Sequence, residues 1–449
     1  MALDARITVV KALAGLHREK QYSNIVLDEL LKTGELSEKD RAFASRLFYG
    51  VIERRITIDY VLEHASSVAL RKMHPLVLEV LRVAVYQLLY MEKIPPSAAV
   101  NEAVSGVRRL KQGNASGFVN GVLRGILRRR ETLFDGLSGD TTLSVMHSCP
   151  TELIAFWREA YGEARMAALI ESINDIPESY VRVNTLRTTD EDFSKMLQNL
   201  GISCQIERDI PHCFELKCAY LGNKLELTDK NCYYYQDKAS QYACLALDAQ
   251  PGEAIADVCA APGGKSFTVA QYMENVGRLL SCDVYPNKCD TIERRAAQLG
   301  ITMLQTAVRD ASMRCPQPLI GAFDRVICDV PCSGLGVIRR KPEIRYKSLD
   351  ALKELPDLQY AILERSAEMV KAGGVLQYST CTLNPAENEQ IAERFLAEHT
   401  EFSPRVLPLI TCFEAAGLSP SHTITLFPHI HKTDGFFIAG FEKNEVTVR

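Results

Sequence analysis

Over residues 1 to about 131, apolar side chains return every three or four positions and no strand-like alternation intervenes. Ser37-Glu38-Lys39-Asp40 carries a helix-capping signal, and Ala44, Leu47, Phe48, Val51 and Ile52 follow at helical spacing. Leu76 through Leu89 is apolar nearly all round, as the central helix of a bundle should be. Pro95-Pro96-Ser97 breaks the chain and starts another helix. Glycines at 113, 117, 121 and 125 would allow close helix contact in the last stretch. Residues 1–132 are therefore expected to form an all-α bundle.

A loop with Gly136, Gly139 and Asp140 follows, then a short helical region after Pro150. Tyr180-Val181-Arg182-Val183-Asn184-Thr185-Leu186 alternates with the period of a strand. A helix from about Asp190 to Leu200 stops at Gly201, and short strands continue to about residue 236. Residues 145–238 read as a small α+β domain of RRM-like size and content. From 239 to 449 short β-rich runs alternate with helical segments, the mark of a doubly wound α/β sheet. Strands are predicted at Ala254–Val258, Arg278–Cys282, Met303–Ala307, Arg325–Asp329, Val375–Ser379, Ile424–Phe427 and Phe436–Phe441, giving a seven-stranded, Rossmann-like domain.

Composition narrows the function classes. With 47% hydrophobic and 24% charged residues in 449, the chain resembles ordinary globular proteins of several domains. No apolar run is long enough for a membrane span; the best stretch, Val77 to Met91, carries Glu79 and Arg82. The start, Met1 to Arg6, has no secretory pattern, so a cytoplasmic monomer without a membrane partner is expected. The 14 cysteines are too sparse for a disulfide scaffold, and without a CxxC pair no metal site is expected. Most are expected to be buried structural thiols. Charge is uneven: residues 1–130 hold 21 Lys/Arg against 13 Asp/Glu, while the rest holds 31 against 43. The excess gathers at Arg108-Arg109-Leu110-Lys111 and from Arg124 to Arg130, which suits a polyanion-binding module as well as a solvated helix face.

Chemistry concentrates at the ends of the predicted strands. Asp257-Val258-Cys259-Ala260-Ala261-Pro262-Gly263-Gly264-Lys265-Ser266 takes a strand through a small-residue loop into a helix, where nucleotide-like ligands lie in open sheets. It is neither a dinucleotide nor a triphosphate fingerprint. Asp283 ends the next strand, placed to accept hydrogen bonds from ribose hydroxyls, and Asp310 follows the third, placed to hold an adenine amino group. Acids at successive strand ends suit a nucleoside cofactor such as S-adenosyl-L-methionine. Asp329-Val330-Pro331-Cys332-Ser333-Gly334-Leu335-Gly336 and Ser379-Thr380-Cys381-Thr382 then place two cysteines just past strand ends, suggesting nucleophilic catalysis. Which of the two is the nucleophile does not follow from the residues. Lys265 is the candidate cation to lower a thiol's pKa. Arg339, Arg340, Lys341 and Arg345, with Tyr346 and Lys347, would suit a single-stranded RNA path.

These three motifs together resemble the RNA (cytosine-5) methyltransferase family. Asn101-Glu102-Ala103-Val104 and Gly117-Phe118-Val119-Asn120-Gly121-Val122-Leu123-Arg124 resemble a NusB-like RNA-binding domain, a pairing similar to the family's bacterial 16S ribosomal RNA branch. Gln236 to Gln241 and Asp434-Gly435-Phe436-Phe437 also match. Ser266 for Thr, Val330 for Ala, Tyr346 for Trp and Ala386 for Glu depart from the usual pattern without touching a reacting group. The resemblance implies a transfer of methyl from S-adenosyl-L-methionine to C5 of a cytidine in 16S rRNA. It implies Cys381 as nucleophile, Cys332 as the residue aiding release, and Asp329 steadying the cytosine. It places the cofactor along Cys259, Ala260, Ala261, Pro262, Gly263, Gly264, Lys265, Asp283, Asp310 and Asp329. A dehydrogenase lacks its glycine fingerprint here, and a decayed RNA-binding module would not keep both cysteines.

Overall fold

A computed structural model describes residues 4–19, 23, 26–27, 36–217, 231–408 and 420–445. They form two compact units: residues 1–175 with 340–347, and residues 176–339 with 348–449. The helices of 139–172 pack with the helical unit.

The helical unit holds α1 (Ala5–Glu19), α2 (Glu38–Glu53), α3 (Arg55–Ala65), α4 (Pro75–Tyr90), α5 (Pro96–Arg109), α6 (Ser116–Arg128), α7 (Gly139–His147), α8 (Thr151–Tyr161) and α9 (Glu163–Ser172). Ser37 caps α2 by accepting from the Asp40 amide, and Ala44, Leu47, Phe48, Val51 and Ile52 are all buried. Helix α4 runs through the core, buried from Val77 to Leu88 with few breaks. Its two charges are compensated inside the fold: Arg82 pairs with Glu79 at 2.6 Å and with Asp59 at 2.7 Å. Among the described residues no helix is long and apolar enough to cross a membrane. The glycines of α6 do not serve close packing, since a Cβ at Gly117, Gly121 or Gly125 would meet nothing within 4 Å.

The second unit begins with a four-stranded antiparallel sheet of β1 (Ser179–Val183), β2 (Cys204–Ile206), β3 (Cys213–Leu216) and β4 (Tyr233–Tyr235), in the order β2-β3-β1-β4. Helix α10 (Asp190–Asn199), capped by Thr189, buries Phe193 and Leu197 against Val181, Val183 and Phe214. Part of the expected middle domain, 218–230, lies outside the described residues.

After α11 (Lys238–Leu247) comes the large sheet: β5 (Ala254–Asp257), β6 (Arg278–Asp283), β7 (Leu304–Val308), β8 (Phe323–Asp329), β9 (Val370–Thr380), β10 (Phe402–Pro404), β11 (Thr423–Leu426) and β12 (Phe436–Lys443). All seven predicted strands are present. The eighth, β10, pairs with the end of β12 while β11 pairs with its beginning, so two short segments share one edge. The path runs β10-β12-β9-β8-β5-β6-β7, parallel from β9 to β7, with β12 antiparallel beside β9. Helices α12 (Gly264–Tyr272), α13 (Pro286–Leu299), α14 (Leu355–Ala367) and α15 (Glu389–Glu398) supply the connections. The strand order reverses between β5 and β8, where open sheets leave a crevice beyond their carboxyl ends.

Candidate active site

The loop after β5 turns tightly into α12. Gly263 takes φ +106°, and a Cβ there would stand 2.4 Å from the Phe267 ring, so a side chain is excluded on two counts. Asp257 lies beneath this loop: its carboxylate accepts from Ser266 Oγ at 2.7 Å, and burial raises its pKa to about 6 despite that bond. Asp283 accepts the Tyr285 amide at 3.0 Å. Asp310 accepts the Ser312 hydroxyl at 2.6 Å and amide at 2.9 Å, which hold its pKa below the ordinary carboxylate value.

A cavity of about 560 Å³ opens over the reversal of strand order. Cys259, Ala261, Asp283, Asp310, Asp329, Cys332 and Cys381 all line it. Ala260, Pro262, Gly263, Gly264 and Lys265 do not; they shape the loop behind it. The sequence reading missed Tyr285, Lys288, Arg309, Leu358 and Ile362, which also line it.

Strands β8 and β9 deliver the two cysteines. Asp329 lies in register with Ser379, so Cys332 and Cys381 emerge side by side, with Sγ atoms 3.3 Å apart. The amide of Gly336 donates to Cys381 O at 3.1 Å, and Gly435 N donates to Gly336 O at 2.8 Å. A Cβ at Gly336 would stand 1.9 Å from Gly435 O, so only glycine allows these loops to meet.

The two thiols are electrostatically unlike. The hydrogen bond from Cys332 lowers the Cys381 pKa, against burial and the nearby Asp329, with Lys265 helping. The same bond, then burial, pushes Cys332 well up. Isolated thiols in this unit go one way only: burial raises Cys244 to about 11 and Cys282 and Cys328 to about 12. Lys265 does not face solvent. Its ammonium sits 2.6 Å from Asp329 and 2.8 Å from Ser240 Oγ; burial disfavours its charge, but Asp329 more than restores it and the pKa rises. Ser379 Oγ donates to the other Asp329 oxygen at 2.8 Å. Lys265 thus acts chiefly on Asp329, and the main influence on Cys381 is Cys332.

The expected RNA path needs correction at Arg339 and Arg345. Arg339 is buried, donating to Thr433 O at 2.6 Å and facing Glu178 at 3.3 Å. Arg345 is 2% exposed, in the helical unit; it donates to the carbonyls of Glu53, Ser148 and Ile173 at 3.1–3.2 Å and to Asn174 Oδ1 at 2.9 Å. Tyr346 donates to Ile52 O and carries the Arg55 guanidinium over its ring. These side chains hold the fold. Arg340 is half-buried and Lys341 exposed. Among the described residues no cluster of metal-ligating side chains occurs.

The comparisons with known proteins agree with this anatomy. Profiles of the NusB family, of a ferredoxin-like domain of RsmF/B-like methyltransferases and of the 16S rRNA methyltransferase RsmB/F family match residues 3–128, 149–220 and 244–442. A Bacillus subtilis protein named "Probable ribosomal RNA small subunit methyltransferase B" is 33% identical over 98% of both chains. The Pectobacterium atrosepticum ribosomal RNA small subunit methyltransferase B is 31% identical over 91% of this chain and 92% of its own. A crystal structure of PH0851 covers 99% of this chain and 100% of its own at 25% identity, with a TM-score of 0.80. The chain belongs to the ribosomal RNA small-subunit methyltransferase B family.

Proposed function

We propose that the protein transfers a methyl group from S-adenosyl-L-methionine to C5 of a cytidine in 16S rRNA, through a covalent bond between Cys381 and C6. The carrying observation is the Cys332–Cys381 pair at 3.3 Å, opening onto a cavity that Asp283 and Asp310 also border. The cofactor fits the residues present: the volume is within the roughly 300–1,000 Å³ of ligand pockets, and two acids stand where ribose and adenine would be held. Cys259, Ala260, Ala261, Pro262, Gly263 and Gly264 would form the loop against it. When bound, it supplies an electrophilic methyl group.

Cytosine C5 is a poor nucleophile until C6 carries a thiolate. The Cys381 thiolate adds to C6, the C5=C6 electron pair becomes available at C5, and C5 takes the methyl group while the pair of the broken methyl–sulfonium bond stays with the leaving sulfur. Asp329, held by Lys265 and Ser379, faces the cavity and steadies the base edge. The C5 proton then leaves to solvent, its bonding pair re-forms C5=C6, and the C6–S pair returns to Cys381. Cys332 stabilises that departing thiolate through its S–H. The target base must be unstacked to reach a thiol at a strand end. In the helical unit Arg108, Arg109, Arg124, Arg128, Arg129 and Arg130 are exposed and suit the RNA backbone, with Arg340 and Lys341 as remaining candidates from the expected path.

The test is methyl transfer to unmodified 16S rRNA, mapped by bisulfite sequencing. One protected cytidine is expected, lost by roughly 10³-fold or more in Cys381→Ala. Protection confined to tRNA, or undiminished in Cys381→Ala, would overturn the substrate or the nucleophile respectively.

A further inference from the structure

A buried carboxylate behind the cysteine pair has no part in the chemistry described above. Glu387 is fully buried at the end of the short turn Pro385–Glu387, two residues before α15 begins at Glu389, and no cation pairs with it in an ion bridge among the described residues. It keeps three hydrogen bonds instead. Its Oε2 accepts the Ser333 amide and Gln359 Nε2, both at 2.8 Å, and its Oε1 accepts Asn384 Nδ2 at 2.7 Å. Gln359 Nε2 also donates to Pro331 O at 2.9 Å. Glu387 therefore grips the chain directly after Cys332 and, through Gln359, directly before it. Its own backbone is fixed too, since Tyr378 OH donates to Glu387 O at 2.6 Å from within β9.

The grip is asymmetric. Cys381 is placed by β9 and by the Gly336 amide, neither of which needs the Glu387 side chain. Cys332 lies three residues beyond the end of β8, in irregular chain, where the flanking hydrogen bonds decide where its sulfur points. A second link, Ser333 Oγ to Thr382 Oγ1 at 2.6 Å, ties the loops but does not reach the Pro331 side. Burying an ionised carboxylate is costly, and it persists where its hydrogen bonds compensate.

We infer that Glu387 is a positioning residue that holds Cys332 against Cys381, and that it governs release of the methylated base more than its capture. The inference rests on the proposed covalent route. In the release step the C5 proton goes to solvent, C5=C6 re-forms, and the C6–S pair returns to Cys381; only the last event gains from a placed Cys332 S–H. Capture draws on Cys332 only through the hydrogen bond that favours the Cys381 thiolate, an effect of about a few-fold. Glu387 also adds negative charge beside Cys332, whose pKa is raised first by its bond to Cys381 and then by burial, so the S–H stays intact.

The experiment compares wild type, Glu387→Gln and Gln359→Leu on a radiolabelled 16S rRNA fragment with S-adenosyl-L-methionine, resolved on denaturing gels. Gln359→Leu loosens the same loop on the Pro331 side while keeping the carboxylate and its bonds to Ser333 and Asn384, which guards against a Glu387 variant that fails to fold. In both variants, single-turnover methylation is expected within about threefold of wild type, while steady-state turnover falls by about 10²-fold. A covalent enzyme–RNA band should persist. A merely structural role would lower both rates together with thermal stability. Wild-type turnover in both folded variants, or loss of the adduct along with turnover, would overturn the inference. Cys332→Ala and Cys381→Ala are run alongside: continued methylation in Cys381→Ala would overturn the covalent route itself, a different outcome from a failure confined to Glu387.

Discussion

The helical unit and the strand ends of the sheet unit both bury charge, and they finish the job differently. In the helical unit Arg82 is closed off between Glu79 and Asp59, and Arg345 is surrounded by carbonyls. In the sheet unit Asp329 has Lys265 and Ser379 on one side and a cavity on the other. The Cys332–Cys381 pair repeats the pattern, each sulfur partnered by the other yet facing open volume. A charge whose partners surround it stabilises a fold; one whose partners leave a face open can act on a ligand.

Three experiments sharpen or break that contrast. The largest effect is expected in the enclosed set. Arg345→Ala strands the carbonyls of Glu53, Ser148 and Ile173, the last two buried, and Asn174 Oδ1, so unfolding in urea should show a loss of about 3 kcal/mol or more. Arg345→Lys should recover little of it, because an ammonium cannot reproduce the fork of donors. If Arg345→Ala weakened RNA binding at unchanged stability, the assignment of Arg345 to the fold would be wrong.

Asp257 offers an intermediate case. Its folded pKa of about 6 lies above the ordinary carboxylate value of about 3.9, so the folded state holds its proton more tightly than the unfolded chain. Stability from this group therefore falls as pH rises from about 4 to 6, by about 3 kcal/mol in all. Asp257→Asn should flatten that part of the pH–stability curve in thermal melts between pH 4 and pH 7. An unaltered curve would mean the carboxylate is not strained by burial.

The smallest effect concerns the open pair. Removing the donor in Cys332→Ala should move the pH midpoint of Cys381 adduct formation upward, a change worth about one hydrogen bond, or ~1 kcal/mol. A midpoint that stays put would transfer the main influence on Cys381 to Lys265. Stopped-time adduct assays from pH 6 to pH 9 would decide it.

Much of this was readable beforehand, for physical reasons that can be named. Strands β5, β6 and β8 announced themselves because both faces are covered toward their carboxyl ends, leaving short apolar runs, and their ends are marked by Asp257, Asp283 and Asp329. The cysteine pair was visible because each thiol follows such a run directly. Edge strand β10 was not, since Phe402-Ser403-Pro404 is too short to carry a period. Glu387 and Gln359 escaped for the opposite reason: nothing in Asn384-Pro385-Ala386-Glu387-Asn388 distinguishes a buried polar clasp from a solvated loop. Arg339 and Arg345 misled because a cation in an irregular stretch has the same letter whether it meets phosphate or backbone carbonyls. Only three-dimensional enclosure separates the two.

The return of residues 340–347 to the helical unit has a consequence for taking the protein apart. The chain passes between its two units three times, so neither is a single continuous stretch of sequence. A fragment ending near residue 175 would lack the guanidinium that satisfies Glu53, Ser148 and Ile173, and the ring beneath Arg55. The segment that matches the NusB family, residues 3–128, is therefore smaller than the compact unit it sits in, which also takes in 139–175 and 340–347. Shuffling or transplanting the helical unit would have to carry along eight residues encoded far downstream.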